Sequence, residues 1–263
     1  MIVKALSENT TRNPAFLSEH GLSLYIEANG QTLLFDAGQS DAFAKNAEKL
    51  GVDLSQADFA VLSHAHYDHG GGLLTFLKLN DHAPVYVSPY AFDECLNGAG
   101  NAIGLDRALQ ENPRLVFVSG KTRLPDGFSV YSGEGRALTQ PVISYGLQTK
   151  RNGTIMPDDF RHEQYLEIID NGRRVLISGC SHKGVVNIMH WFKPDVLVGG
   201  FHLMKLDPLG DGRAALDAVA RELASANTIY HTCHCTGTAQ YKYLKRQMQD
   251  RIFYLSAGQE ITV

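Results

Sequence analysis

Apolar positions in this chain come in short continuous runs bounded by Gly, Asn, Asp and Pro, the pattern of strands buried on both faces. In the first half these runs fall at residues 2–6, 22–26, 31–35, 59–62, 84–87 and 115–118. The second and third are joined through Asn29-Gly30, a strong hairpin signal. Helical spacing marks residues 41–50, where Ala42, Phe43, Ala47 and Leu50 share one side and Gly51 closes the helix. A further helix is predicted from Gly70 to about Lys78, and helical stretches between the strands at 84–87 and 115–118. From Pro125 to about Asp159 the pattern loosens into Gly, Ser and Pro, with one strand at 128–131, and reads as loops that line a pocket.

The second half repeats the logic. Strands at 164–169 and 174–178 meet through Asp170-Asn171-Gly172, followed by a helix at 185–192, a strand at 196–198, a helix at 213–224 and a strand at 228–230. Strands alternating with helices predict α/β organisation. No stretch rich in Ser or Pro divides the chain, so residues 1–263 are expected to form a single domain.

Composition narrows the class only slightly. Hydrophobic residues make up 44% and charged residues 20%, and the net charge is −4, which argues against nucleic acid or an anionic membrane as partner. No apolar run is long enough to span a bilayer, and residues 1–6 are too short and mixed for a signal peptide, so a cytoplasmic location is expected. Cys95, Cys180, Cys233 and Cys235 have neither zinc-finger spacing nor the context of a disulfide framework.

The chemistry concentrates after the run at 59–62. His64, His66, Asp68 and His69 fall within six residues, and Gly70-Gly71-Gly72 follow. His64 and His66 share one side of extended backbone. Imidazole and carboxylate are zinc ligands that also suit iron and manganese, so this stretch is read as a metal site. Three later strands also deliver histidines at their ends beside glycine: His182 after Gly179-Cys180-Ser181, His202 after Gly199-Gly200-Phe201, and His234 before Cys235-Thr236-Gly237. Ligands of α/β folds gather at such strand ends. His202 is the better candidate for touching substrate, and His231 for the strand or a supporting place. His82, His162 and His190 read as surface or packing residues, and His20 as a weak candidate for the pocket mouth.

His64-x-His66-x-Asp68-His69 resembles the signature of the metallo-β-lactamase superfamily. The resemblance implies a four-layer αββα sandwich holding one or two divalent metal ions, zinc first, with iron or manganese as alternatives. The segments 179–187, 199–203 and 234–237 are similar to the branch typified by 7,8-dihydropterin-6-methyl-4-(β-D-ribofuranosyl)aminobenzene-5′-phosphate synthase. By that resemblance His64 and His66 serve a first metal, and Asp68, His69 and His234 a second. Asp36, in a Phe-Asp-x-Gly turn, would hold the histidine loop, or else act as a local turn-former. Cys180 stands where the superfamily has a bridging Asp. The third-motif histidine is absent, its neighbourhood offering Asp158, Asp159, His162 and Glu163; His182 is the candidate to replace it.

These expectations point to a metal-dependent hydrolase of a small ester, lactone or phosphate-containing molecule acting through a metal-activated water. Asp68 would orient the water or pass its proton, and His202 would serve as general acid. Two other readings stand beside it. One is a dihydropterin-type transferase releasing pyrophosphate, which needs an anion patch that Lys150, Arg151, Lys183 and Lys205 could supply. The other is a non-catalytic metal-binding or sensing protein. A nuclease is disfavoured by the acidic balance.

Overall fold

The computed structural model of the chain describes residues 1–263. Its strands are β1 (Ile2–Ser7), β2 (Ser23–Ala28), β3 (Gln31–Phe35), β4 (Phe59–Val61), β5 (Val85–Val87), β6 (Glu94–Leu96), β7 (Leu115–Phe117), β8 (Lys121–Arg123) and β9 (Phe128–Ser132). They continue with β10 (Gln148–Arg151), β11 (Thr154–Pro157), β12 (Gln164–Asp170), β13 (Arg173–Ile177), β14 (Val196–Gly199), β15 (Ile229–Thr232), β16 (Ile252–Tyr254) and β17 (Glu260–Thr262). The helices are α1 (Ala42–Lys49), α2 (Tyr67–Gly70), α3 (Leu73–Leu79), α4 (Val185–Phe192), α5 (Arg213–Ser225) and α6 (Thr238–Met248).

Two seven-stranded sheets carry the fold, in the orders β17-β1-β2-β3-β4-β5-β7 and β16-β15-β14-β13-β12-β9-β8. Each combines antiparallel pairs with a parallel run: β3-β4-β5-β7 in the first, β13-β14-β15-β16 in the second. Alternation along the strands explains the layers. Leu24, Ile26, Leu33, Phe35, Leu166, Ile168, Val175 and Ile177 meet in a core between the sheets. Their neighbours Tyr25 and Leu34 point the other way, onto Phe43 of α1 and Phe76 of α3. Tyr165, Leu176 and Leu197 likewise face α4, α5 and α6. Both faces of each sheet are therefore apolar, which is why the strands read as continuous runs, and the architecture is the expected αββα sandwich.

Some expectations need correction. The segment between β5 and β7 holds β6 and a single 3-10 turn at Arg107–Leu109, with no α-helix. The stretch expected to be mostly loop contains the β10–β11 hairpin, which pairs with β6 in a small third sheet. Its turn is Asn152-Gly153, both at positive φ. The hairpin signal is present in the sequence, but the flanking residues are too polar to advertise strands. The helix expected from Gly70 to about Lys78 is α3, which begins at Leu73, and a separate short helix, α2, precedes it. Gly72 sits between them because a Cβ there would collide with the Ala37 carbonyl oxygen. Finally, α6, β16 and β17 follow His234, in a stretch where the apolar pattern alone predicts no element.

Candidate metal centre

All the predicted donors lie beyond the C-terminal ends of central strands. The chain leaves β4 through Leu62 and Ser63, passes His64 and His66, and enters α2 with Asp68 in its first turn. Asp36, at φ +58 just after β3, accepts the Ser63 backbone N–H at 2.7 Å, the Ser63 hydroxyl at 2.7 Å and His69 Nδ1–H at 2.6 Å. Counting protons fixes both histidines. Ser63 gives its single hydroxyl proton to Asp36, so the 2.7 Å contact with His64 must be donated by His64 Nδ1. His64 and His69 thus carry their protons on Nδ1 and turn Nε2 lone pairs inward. Asp36 therefore holds the histidine loop.

His162 supports the same loop from behind, its Nδ1 accepting Ala65 N–H at 3.2 Å and its Nε2 donating to Asp158 at 3.2 Å. Burial lowers its pKa, but Asp158 and Cys95 raise it to about 10. The Ala65 N–H opposes a second proton on the ring, because on Nδ1 the two hydrogens would confront each other.

The second half contributes through two turns anchored on buried carboxylates. Glu163 accepts the backbone N–H of His182 at 2.6 Å and of Lys183 at 2.9 Å, and the Tyr165 hydroxyl at 2.6 Å. This places His182 Nε2 3.3 Å from His64 Nε2, with the His66 ring 4.9 Å from that of His182 between centroids. Glu8, following β1, accepts His234 N–H at 2.6 Å and the Tyr254 hydroxyl at 2.8 Å. Asn9 Oδ1 takes Gly21 N–H at 3.3 Å, which sets its amide orientation, and accepts from His234 Nδ1 at 2.7 Å. His234 Nε2 then lies 3.2 Å from His69 Nε2 and 3.3 Å from Asp68 Oδ2. Cys180 Sγ stands 3.2 Å from His69 Nε2.

Two groups result: His64, His66 and His182 on one side, and Asp68, His69 and His234 on the other, with Cys180 beside His69. In the second group two ring lone pairs and a carboxylate oxygen face one another, with only the Cys180 thiol beside His69 and the His20 ring beside Asp68 as donors. Such a cluster favours a cation. With no metal bound, a proton fills that role: burial lowers the His69 pKa, but Asp36 and Asp68 outweigh it and raise it to about 9. Asp68 is held well below the usual carboxylate range, burial being outweighed by His69, His20 and His234. The first group is the opposite case. Burial and neighbouring imidazoles push His64 and His182 well below the usual value, and His66 to about 3, so all three are neutral, the metal-ligating form. His66 Nε2 and His182 Nδ1 are buried without a hydrogen-bond partner. The nitrogen, oxygen and sulfur donors together fit divalent metal ions.

A cavity of about 270 Å³ opens over these groups, lined also by His20, His202 and Lys205. Both ring nitrogens of His202 are without a partner, and its ring lies 4.2 Å from that of His182. His20 sits at the mouth as a weak candidate would, but its Nε2 is 3.2 Å from Asp68, a closer engagement than one loop histidine could signal. Sequence reasoning misses Cys235: its Sγ accepts His202 N–H at 3.3 Å and donates to the Cys180 carbonyl at 3.3 Å. It also misses Ser63, and Glu8 and Asn9, since nothing in the local sequence of those two announces a partner so far along the chain. His231 packs on Phe253 in β15–β16, and His82 and His190 are exposed at the surface. Of the four cations considered for an anion patch, Lys205 alone lines the cavity. Lys150 pairs with Glu94, Arg151 with Asp159, and Lys183 donates to the Asp159 carbonyl.

An αββα sandwich with histidine and carboxylate donors gathered at one edge defines a class, and the chain belongs to it: the metallo-beta-lactamase superfamily, whose model matches residues 19–150. Members of this superfamily bind divalent metals. Among solved structures, one described as a metal-dependent hydrolase of the beta-lactamase superfamily is 30% identical with a TM-score of 0.82, over 100% of this chain and 99% of that one. Zinc-bound PqqB from Methylobacterium extorquens, 12% identical with a TM-score of 0.60 over 100% of both chains, shares the fold. The 7,8-dihydropterin-6-methyl-4-(beta-D-ribofuranosyl)-aminobenzene-5'-phosphate synthase of Methanocaldococcus jannaschii is 28% identical, over 95% of this chain and 92% of the relative.

Proposed function

We propose that this protein is a metal-dependent hydrolase of a small ester, lactone or phosphate-containing molecule. The observation that carries this reading is the pair of donor groups facing one another beneath a cavity of about 270 Å³. His64, His66 and His182 would hold one ion, and Asp68, His69, His234 and Cys180 a second, with zinc favoured by the mixture of imidazole, carboxylate and thiolate. Divalent ions bound there supply Lewis acidity, which makes water a nucleophile near neutral pH and polarises an acyl or phosphoryl oxygen. The chain supplies the rest. Asp36, Glu8, Asn9 and Glu163 keep the donors oriented. Asp68, bonded to His20, orients the attacking water, and His202 donates a proton to the departing oxygen from its partnerless ring. Lys205 offers its charge to an anionic substrate at the cavity wall.

The dihydropterin-type transferase is the second reading, favoured by the 28% identity to the synthase. It asks for a place to receive pyrophosphate, and three of the four cations that might form it are engaged elsewhere. Hydrolysis therefore takes precedence. Metal analysis of protein purified without added metal or chelator, followed by turnover on a panel of esters, lactones and phosphoesters, tests the proposal. Bound metal with turnover, both lost in His66→Ala, is the expected result. Metal without turnover on any member, with pyrophosphate released from dihydropterin pyrophosphate, would install the transferase instead. Metal without either activity would leave a binding or sensing protein.

A further inference from the structure

A second cavity, of about 250 Å³, adjoins the first and shares His182 and His202 with it. Its other walls come from the segment at Gln140–Tyr145, the start of α4, the turn after β14 and one side of α5. The two differ sharply in chemistry. The first holds Asp68, Lys205 and five histidines. The second has no Asp, Glu, Lys or Arg in its lining, and Ile143, Val185, Phe201, Leu206, Ala218 and Val219 give it its character. Ser181 lies in its wall but spends its hydroxyl proton on the Gly200 carbonyl at 2.6 Å. Tyr145 sets its ring edge-on to His202, with centroids 5.4 Å apart. The boundary between the cavities is where unpaired hydrogen-bonding capacity collects: His182 Nδ1 and both nitrogens of His202 lack partners.

We infer that the second cavity is a substrate subsite for an uncharged ring system, poor in hydrogen-bonding groups, of one or two fused rings. The inference rests on the hydrolase reading and names the substrate class. The reacting polar group lies over the histidine and carboxylate donors, a linking oxygen meets the partnerless nitrogens at the boundary, and the ring fills the apolar side. Size supports this, since an apolar cavity of roughly 150 Å³ holds one benzene ring. Hydrogen-bonding partners are confined to one side, at Gln140, Tyr145, His182 and His202, so donors and acceptors on the far edge of a ring would be left unpaired against Val185, Leu206, Ala218 and Val219. A phenyl or naphthyl group meets no such cost.

β-Naphthol is the probe, because it binds without needing to be turned over. Calorimetric titration of metal-loaded protein should show binding, weakened about tenfold by Ala218→Phe, which fills the cavity from α5, and by Ile143→Asp, which charges its rim. Ile143 is 56% exposed, so the second substitution can be made without disturbing the core. Metal content equal to wild type in both variants shows that the neighbouring site is intact. Failure of wild type to bind β-naphthol, or unchanged binding in both variants, would overturn the subsite. The hydrolase reading fails separately: naphthol binding that responds to both substitutions, without turnover of any ester, lactone or phosphoester of the panel, naphthyl compounds included, removes that reading and leaves an apolar ring-binding site.

Discussion

Replacing Asp36 by Asn changes one atom and should disable the centre without unfolding the protein. Asn tolerates the left-handed backbone that residue 36 adopts at φ +58, so the turn after β3 survives. The hydrogen-bonding count does not. The carboxylate serves three donors: the Ser63 N–H, the Ser63 hydroxyl and His69 Nδ1–H. An amide has one oxygen. If it keeps the Ser63 N–H, its NH₂ confronts His69 Nδ1–H, and His69 must move its proton to Nε2, where a lone pair is needed. The disturbance continues through Ser63, whose hydroxyl then seeks an acceptor and finds His64 Nδ1. Loss of such supporting contacts typically costs about 10–100-fold in metal affinity, or roughly 1.4–2.8 kcal/mol. Competition against a chromophoric chelator measures that affinity, with circular dichroism to show that the fold persists. Wild-type affinity in a folded Asp36→Asn protein would refute the tautomer argument, since the variant cannot satisfy all three donors.

Other perturbations separate the parts of the site. His202→Ala should leave metal content unchanged and lower turnover by about 10²-fold or more, read as kcat on the best substrate of the panel; an unaltered kcat would remove His202 from the reaction. Gly179→Ala would drive a Cβ into Ser63 Oγ, displacing it from Asp36 and weakening metal binding, which the same chelator competition detects. In the metal-free protein His69 is raised from 6.5 to about 9, so its protonated form contributes stability that is fully present below pH 6.5 and lost as pH rises through about 9. Denaturant melts of the metal-free protein across that range should show the decline. Metal binding must expel the same proton, so affinity for added metal should rise over the window while apo stability falls.

The sequence carries the centre further than it carries the frame around it. His64, His66, Asp68 and His69 are legible because four ligand-type side chains within six residues, on a strand-to-helix turn, rarely coincide without a metal to hold. His182 and His234 are legible because each closes a strand beside glycine. Glu8 and Asn9 are not: they lie in a polar segment that looks like an ordinary loop, and their significance comes from His234, 226 and 225 residues later. Strands β1–β5 and β12–β15 can be read because both their faces are buried and their runs are continuous. The β10–β11 hairpin escapes because its residues are mostly polar or exposed and its pairing with β6 depends on tertiary structure.

The sequence distances across the centre give it a place in the order of folding. His64 and His182 meet across 118 residues, His69 and His234 across 165, and Glu8 reaches His234 across 226. No fragment that emerges early from the ribosome contains a complete set of donors, and neither sheet alone can assemble one. An ion held by the proposed donors would therefore be captured only once the two halves have docked in register, and would then clip together chain segments otherwise separated by long, entropically costly loops. Metal loading would thus report the completion of the fold, and its loss should first be felt as loosening at the seam between the sheets.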